Sequence, residues 1–259
     1  MIRPRLTGGL HTGYVPVLED ETLDSFYRGR VLVLQSRKGY RFALDAPLLA
    51  DFVRPRRGEE MLDLGAGNGI ISLLLSVRPF ARATLIEIQE SLASLARRNV
   101  ILNGLGKKMT VVRGDLRRYR RSRKFDVIYS NPPYIARRTG FLSASEEKSV
   151  AKHEVKCDIL EVMRATARLL KKHGRAYVVY PARRRDDLEK AAEASGLHVR
   201  RLRFVHPRKR GEACLFLAEL GFAPAKTHIL PPLVLRDPRG KDTAETRRIF
   251  EGKGRARAS

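Results

Sequence analysis

The sequence predicts an α/β protein with a mostly parallel sheet, and two observations support that fold class. From residue 60 onward, short apolar runs rich in aliphatic and β-branched residues alternate with helical patterns, as in crossover units between parallel strands. The last two apolar runs are separated only by HPRKRGE, which is too short for a crossover and suits an antiparallel pair. We therefore expect seven strands, helices on both faces of the sheet, and one antiparallel strand at its edge.

The predicted strands and helices follow one another along most of the chain. The strands are residues 60–64, 83–88, 109–114, 125–130, 175–180, 197–205 and 213–220, and the helices cover 69–77, 91–104, 154–172 and 184–195. Ahead of them, residues 30–35 and 40–44 flank SRKG, which predicts a short β-hairpin. Asp45 and Pro47 then open a short helix, because they are typical of an N-cap and of a first helical turn.

These elements predict a single domain between two less ordered ends. Residues 1–20 carry Gly, Pro and Thr without periodicity and are expected to form a flexible leader. The domain covers residues 21–238, with an amino-terminal extension (21–58) ahead of the core (59–220). The polar, basic segment 239–259 is expected to be a flexible tail.

Charge and composition narrow the possible partners. The 259 residues contain 52 Lys and Arg against 28 Asp and Glu, a net charge of +24 that attracts polyanions, above all nucleic acid. Basic proteins also bind membranes, but no run approaches the ~20 apolar residues of a membrane span. Cys157 and Cys214 form no C-x-x-C pair, so neither a zinc site nor a disulfide framework is predicted. We expect a cytoplasmic protein without a metal.

A glycine-rich turn, DLGAGNG (63–69), follows the first core strand. Gly65, Gly67 and Gly69 allow the backbone to turn sharply and to approach a ligand closely. The spacing differs from the dinucleotide fingerprint, where a third glycine would stand at Ile70. Asp63 would repel a pyrophosphate and would instead suit a cationic ligand such as S-adenosylmethionine, which carries a sulfonium and an amino group.

Two further acids follow the next two strands. Glu87 lies about 20 residues beyond the glycines, where an acid can accept hydrogen bonds from both ribose hydroxyls. Asp115 follows the third strand, where its carboxylate can accept from an adenine amino group. Each feature alone also fits a plain strand–helix connection or a solvated cap. Their order at successive strand ends predicts a nucleoside cofactor site at the ligand-binding edge of the sheet.

The stretch SNPPYI (130–135) follows the fourth strand at the same edge. The amide oxygen of Asn131 and the carbonyl of Pro132 can both accept hydrogen bonds from a planar exocyclic amine. They would thereby favour a pyramidal nitrogen whose lone pair faces the methyl donor. Pro132 and Pro133 fix φ and remove backbone donors, and Tyr134 offers a ring for stacking on a flipped base. The alternative is a proline-rich turn that merely ends the strand.

These motifs resemble the Rossmann-like, class I methyltransferases that transfer a methyl group from S-adenosylmethionine to an amine. A more specific resemblance covers about residues 21–237 and is to the bacterial tRNA (adenine-N6)-methyltransferases that modify the adenine beside the anticodon of a valine tRNA. It rests on the segments YRFALDAPLLADFV, IEIQ, NPPYIARRTG, AKHEV, FVHPRKRGEACLFLAEL and ILPPLVL. It implies a cytoplasmic enzyme that acts on tRNA and produces S-adenosylhomocysteine, while the sequence leaves open whether the protein is a monomer or a homodimer.

The resemblance also implies roles for particular residues. Asn131, Pro132, Pro133 and Tyr134 would hold the target amine, while Phe42 and Asp45 would close the methionine end of the cofactor pocket. The remaining cofactor-binding residues would be Asp63, Gly65, Ala66, Gly67, Asn68, Gly69, Glu87, Ile88, Asp115 and Leu116, with Asn131 shared between the two sets.

Basic clusters supply candidate contacts to RNA. Arg137 and Arg138, and the turn Arg208–Arg210 that includes Lys209, follow predicted strand ends on the cofactor side, where they could clamp tRNA phosphates. Basic residues on an exposed helix, as at 183–185, are commonly only solubilising. The long connector 139–154 is a candidate RNA-binding loop, in which His153 and Glu154 could contact substrate or simply cap the next helix.

Three rival functions remain. A glutamine-N5 methyltransferase acting on release factors would share the NPPY motif, but about 60 residues ahead of the first core strand leave little room for that family's helical domain. A non-catalytic RNA-binding module would not need Asn131 and the glycines. An NAD-dependent enzyme is disfavoured by the glycine spacing.

Overall fold

The computed structural model of this chain describes residues 15–37, 44–132 and 158–253, in which strands and helices alternate as expected. The strands are β1 (Glu21–Phe26), β2 (Val31–Ser36), β3 (Glu60–Leu64), β4 (Arg82–Glu87), β5 (Met109–Arg113), β6 (Phe125–Ser130), β7 (Leu170–Pro181), β8 (His198–Arg208), β9 (Leu215–Gly221), β10 (His228–Ile229) and β11 (Leu233–Arg236). The helices are α1 (Asp45–Phe52), α2 (Ile70–Leu75), α3 (Glu90–Leu102), α4 (Ile159–Leu169), α5 (Arg185–Glu193) and α6 (Ala244–Phe250). The seven predicted strands correspond in order to β3 through β9.

The main sheet has the order β10-β8-β9-β7-β6-β3-β4-β5, and β11 also pairs with β8. Strand β9 is the antiparallel one, but the expectation that it lies at the edge is wrong, since it sits between β7 and β8. The short HPRKRGE connection correctly predicts that β8 and β9 pair, but it says nothing of the partner on the other side of β9. Strand β9 is buried along nearly its whole length, as an internal strand requires.

The hairpin that the structure describes near the amino terminus pairs β1 with β2, whereas the predicted pairing of residues 30–35 with 40–44 falls mostly on residues outside the described part of the chain. Residues 38–43 lie outside the described part of the chain. The turn between the strands uses three consecutive residues with positive φ, Tyr27, Arg28 and Gly29. Only the glycine among them is a usual turn residue, so the sequence hardly signals a turn at this position.

Two asparagines one helical turn apart, Asn99 in α3 and Asn103 directly after it, bind this hairpin to the sheet. The side-chain amide of Asn103 accepts from Leu32 N at 2.9 Å and donates to Leu32 O at 2.7 Å. Asn99 does the same with Leu34, and its Nδ2 also donates to the carbonyl of Asn68 in the glycine turn. The two side chains therefore pair with the free edge of β2 and tie it to the candidate cofactor site.

The expectation of a flexible tail from residue 239 does not hold for the described residues, which extend to Lys253. Thr243 caps helix α6 by accepting from Thr246 N, and α6 packs against α1 and β11 with Ile249 buried. The buried guanidinium of Arg203 pairs with Glu245 at 2.8 Å. The segment folds because apolar residues such as Ile249 occur among its basic residues at helical spacing. Net charge alone does not reveal this pattern.

Two apolar layers enclose the sheet. One contains side chains of α1, α2, β2 and α6, and the other contains side chains of α4 and α5. The predicted helices therefore cover both faces of the sheet, and the carboxyl ends of its parallel strands form one common edge.

Candidate active site

Four neighbouring parallel strands, β6, β3, β4 and β5, end at the same edge of the sheet. Strand β3 leads into the glycine turn at Gly65, β4 ends at Glu87, β5 is followed by Asp115, and β6 is followed by Asn131. The sheet topology thus brings together the motifs that the sequence singled out.

The carboxylate of Glu87 holds the glycine turn in place. Its Oε2 accepts from Gly67 N at 2.9 Å, and its Oε1 accepts from Gln89 N at 2.8 Å. Gly69 has a φ of 85°, and a Cβ there would lie only 3.1 Å from the side chain of Leu85, so both conformation and space favour glycine. Glu87 therefore shapes the turn in addition to any contact with a ligand.

Asp63 lies fully buried beneath this turn. Its Oδ2 accepts from Ser72 Oγ at 2.7 Å, and Ser72 Oγ also lies 2.8 Å from the hydroxyl of Tyr129. Burial raises the pKa of Asp63 to about 7, since hydrogen bonds from Ser72 only partly offset desolvation and the nearby Glu87 carboxylate adds to the shift. The sequence reasoning missed Ser72 and Tyr129, which lie within apolar stretches that predict only core.

Asp115 is engaged by a neighbouring guanidinium. Arg117 Nε donates to Asp115 Oδ1 and its terminal nitrogen donates to Oδ2 at 2.6 Å, while the Arg117 N–H also donates to Oδ1. The hydrogen bonds from Arg117 lower the pKa of Asp115, which is therefore an ionised acceptor. The same guanidinium pairs with Glu161 at the start of α4. The sequence placed Asp115 correctly at this edge, but it did not predict the pairing with Arg117.

The side chain of Asn131 meets Asp45, the first residue of α1. Asn131 Nδ2 donates to Asp45 Oδ2 over 2.8 Å, although the two residues are 86 positions apart in the sequence. Pro132 follows and is buried. The resemblance placed Asp45 at the methionine end of the cofactor pocket, and the structure shows it in contact with the residue predicted to hold the amine. Phe42, Pro133 and Tyr134 lie outside the described residues.

The other predicted contact residues vary in exposure. Ala66 and Asn68 are buried within the glycine turn, Ile88 and Leu116 are partly buried after Glu87 and Asp115, and Gly65 is exposed. Arg208 ends β8, and Lys209 and Arg210 follow it in an exposed turn at the same edge of the sheet. Arg137 and Arg138 lie outside the described part of the chain, as do the connector 139–154 and Cys157.

This arrangement fits S-adenosylmethionine, a nucleoside that carries positive charge. Three carboxylates line the ends of adjacent strands, and Asp63 Oδ1 is buried with no hydrogen-bond partner among the described residues. Such an orphaned acceptor suits a cationic ligand, because an unpaired buried acceptor is costly. When bound, S-adenosylmethionine supplies an electrophilic methyl group, and the chain supplies the acceptors that position it.

The fold and the site define a class I methyltransferase that uses S-adenosylmethionine. Residues 43–191 match the family model described as methyltransferase small domain. The chain belongs to this family.

The relatives with this sequence pattern include proteins named tRNA1(Val) (adenine(37)-N6)-methyltransferase. The one from Bacteroides thetaiotaomicron is 31% identical over 159 residues, an alignment that covers 61% of this chain and 66% of the relative. The one from Tolumonas auensis is 26% identical over 195 residues and covers 74% of this chain and 81% of the relative.

Solved structures confirm the fold. A predicted O-methyltransferase from Agrobacterium tumefaciens superposes with a TM-score of 0.62 at 20% identity, over 82% of this chain and 97% of the other. TYW2 of M. jannaschii, solved in complex with AdoMet, has a TM-score of 0.53 at 15% identity, over 80% of this chain and 89% of the other. At these identities the similarity establishes the fold alone.

Two other kinds of feature are absent from the described residues. None of the helices there combines the length and apolar character that a membrane span requires. No group of three or more His, Cys, Asp or Glu side chains in that part of the chain has a metal-binding arrangement.

Proposed function

We propose that this chain methylates the exocyclic N6 amine of an adenine in tRNA, with S-adenosylmethionine as the methyl donor. The observation that carries the proposal is the hydrogen bond from Asn131 Nδ2 to Asp45 Oδ2. Because the amide nitrogen is turned toward Asp45, the amide oxygen is directed to the opposite side of the Asn131 side chain. An oxygen in a fixed direction is what a flat amino group requires as an acceptor.

The proposed chemistry needs acceptors and no external base. The target amine donates one hydrogen bond to Asn131 Oδ1 and a second to the carbonyl of Pro132, so its nitrogen becomes pyramidal. The lone pair then points toward the cofactor side of the site, where the methyl group is transferred in line. The nitrogen loses its proton to water after transfer. Tyr134 would stack on the extruded base.

Charge and the named relatives favour RNA over a protein substrate. The net charge of +24 attracts a polyanion, and Arg208, Lys209 and Arg210 are exposed at the edge that carries Asn131. The relatives are named for adenine 37 of a valine tRNA, and we adopt that tRNA as the first substrate to test. An enzyme acting on tRNA is expected in the cytoplasm, and either a monomer or a homodimer would be compatible with the site.

The experiment is a methylation assay with labelled S-adenosylmethionine and an unmodified valine tRNA transcript, followed by mass spectrometry of the nucleosides. We expect label in N6-methyladenosine. A transcript with guanine in place of adenine 37 should accept no label, and the Asn131→Ala protein serves as the control for contaminating activity.

A release factor run in parallel tests the rival function. Label in a glutamine side chain of the release factor, with none in tRNA, would replace the proposal by a glutamine-N5 methyltransferase. Binding of S-adenosylmethionine without transfer to either substrate would refute both substrate assignments.

A further inference from the structure

The segment from β10 to Lys253 lies beyond the family model, which ends at residue 191. Strand β11 runs parallel to β8, with Val234 opposite His206 and Arg236 opposite Arg208. Because β8 has the same direction as β3 to β6, the end of β11 reaches the sheet edge that carries the candidate active site. The segment therefore adds residues to that edge that the established features do not use.

Two arginines face each other where β8 and β11 end. Register partners on neighbouring strands project to the same face of the sheet, about 5 Å apart, and like charges placed in this way repel each other. Among residues 15–37, 44–132 and 158–253, no acid pairs with Arg208 or Arg236. Asp242 lies opposite Arg236 in an isolated antiparallel bridge but forms no ion pair with it, so no ion pair offsets the repulsion in the described part of the chain.

Two other arginines of β8 have acidic partners. Arg201 pairs with Glu219 at 2.8 Å, and Arg203 pairs with Glu245 at 2.8 Å. Among the described residues no acid forms an ion pair with Arg200, near the start of the strand, or with Arg208, at its carboxyl end. An anionic ligand at that end would supply the missing counter-charge.

The turn after β11 extends the same positive surface. Asp237 closes it, since its Oδ1 accepts from the N–H groups of Arg239 and Lys241 at 2.9 Å and its own N–H donates to Lys241 O at 2.8 Å. The carboxylate of Asp237 is thereby used within the turn, while the side chains of Arg239 and Lys241 are exposed. The turn is a formed structure that presents two basic side chains.

The segment is anchored from several sides. The Arg203–Glu245 pair links β8 to α6, and α6 packs on α1, the helix that begins with Asp45. Arg30 also donates to the carbonyl of Gly252 at 3.1 Å. A surface fixed in this way binds a polyanion with little loss of conformational freedom.

We propose that Arg236, Arg239 and Lys241, together with Arg208, form an RNA phosphate-binding surface beside the active site, here called the C-terminal basic edge. The proposal rests on the proposed tRNA substrate and specifies which part of the chain holds it.

The spacing suits an extended substrate. Strand β8 is the third strand from β6, so at about 4.8 Å per strand Arg208 lies about 14 Å across the sheet from the strand that leads to Asn131, and β11 lies about 5 Å further. A base held at Asn131 therefore leaves the C-terminal basic edge within reach of phosphates several nucleotides away. Arginine suits this role because its planar guanidinium binds phosphate oxygens in pairs.

The experiment compares the wild-type protein with the triple variant R236Q/R239Q/K241Q. The matched control is R82Q/R123Q/K172Q, which removes the same charges from exposed positions at the opposite, amino-terminal edge of the sheet. Binding of the valine tRNA transcript is measured at several salt concentrations, and affinity for S-adenosylmethionine and thermal unfolding are measured on the same samples.

We expect the triple variant to bind tRNA at least about tenfold more weakly than the wild-type protein. The magnitude of the slope of log affinity against log salt should decrease by about 2 to 3, since each lost phosphate contact removes about 0.7–0.9 from it. Cofactor affinity should not change, and the unfolding temperature should not fall, because the repulsion between Arg208 and Arg236 is relieved. The control should bind tRNA nearly as the wild type does. The variant R236K/R239K keeps the positive charges and should therefore retain most of the tRNA affinity that the triple variant loses.

The two proposals fail in different ways. If wild-type protein methylates tRNA while the triple variant matches the control in affinity and salt slope, the C-terminal basic edge is refuted and the proposed function stands. If wild-type protein binds S-adenosylmethionine but neither binds nor methylates tRNA, both are refuted.

Discussion

The side chain of Asn131 donates a 2.8 Å hydrogen bond to Asp45, which joins the end of β6 to the start of α1. An asparagine amide has one donor end and one acceptor end, so this contact decides which end faces the rest of the site. The proposed reaction requires the acceptor end to face the target amine. Asp45 is then a positioning residue, which acts through Asn131.

Replacing Asp45 with alanine should lower kcat by about ten- to a hundredfold, because a charge-assisted hydrogen bond is worth about 1.5–3 kcal/mol. Asp45→Asn should be milder, since its amide oxygen can still accept from Asn131 Nδ2. Affinity for S-adenosylmethionine, measured by calorimetry, should stay within about twofold of wild type. A weakened cofactor affinity with unchanged kcat would instead show that Asp45 acts in binding S-adenosylmethionine.

Glu87→Ala should weaken binding of S-adenosylmethionine by at least about tenfold, because it removes both the predicted ribose acceptor and the hydrogen bond that holds Gly67 N. The matched control is Glu90→Ala, an exposed acid at the start of α3 that pairs with Arg113. Calorimetric titration should show near wild-type affinity for the control. If Glu87→Ala also binds normally, Glu87 has no part in the cofactor site.

The buried carboxyl of Asp63 predicts a pH dependence of stability. Its pKa is raised from 3.8 to about 7, so the fold favours the protonated form. The stability that this group contributes is fully present below about pH 4, falls as the pH rises, and is lost above about 7, with a slope of at most ~1.4 kcal/mol per pH unit. Asp63→Asn should remove this slope from the free energy of unfolding of the free protein.

The same residue should make cofactor affinity depend on pH in the opposite direction. A cationic ligand favours the ionised carboxylate, so wild-type affinity for S-adenosylmethionine should increase between pH 6 and 8. Asp63→Asn should bind more weakly and with a nearly flat profile. An equal pH dependence in both proteins would assign it to another group.

The carboxyl-terminal segment should contribute to stability. Glu245→Ala leaves the guanidinium of Arg203, which is 5% exposed, without its acid and should lower the free energy of unfolding by about 1–3 kcal/mol. The control is Glu251→Ala, which breaks only exposed pairs with Arg28 and Lys253 and should have no measurable effect. Equal melting temperatures for both variants would show that the Arg203–Glu245 pair does not stabilise the domain.

The sequence predicts most of the sheet because its strands are short apolar runs with turn residues between them. It also predicts that Gly65, Glu87, Asp115 and Asn131 share one edge, because parallel strands place their ends together. It does not predict that β9 lies inside the sheet, since the length of one connection says nothing about the more distant strand that pairs with it.

Contacts between distant residues are the part that sequence patterns miss. From the sequence, Asp45 is predicted to be a helix N-cap, Arg117 belongs to a basic run, and Asn99 lies on an ordinary helix. In the structure, each of them forms a hydrogen bond that positions a residue or loop of the site. The tail was misjudged for a related reason. Its basic composition dominates the pattern, whereas two buried residues, Thr246 and Ile249, and the Arg203–Glu245 pair dock α6.

The most direct test of this account is a single-turnover methyl-transfer measurement on Asn131→Ala at saturating S-adenosylmethionine and tRNA. If Asn131 holds the target amine, the rate should fall by at least about a hundredfold, as for other preorganised acceptor or donor groups, while cofactor affinity stays near that of wild type. A transfer rate equal to that of the wild-type protein would contradict the account.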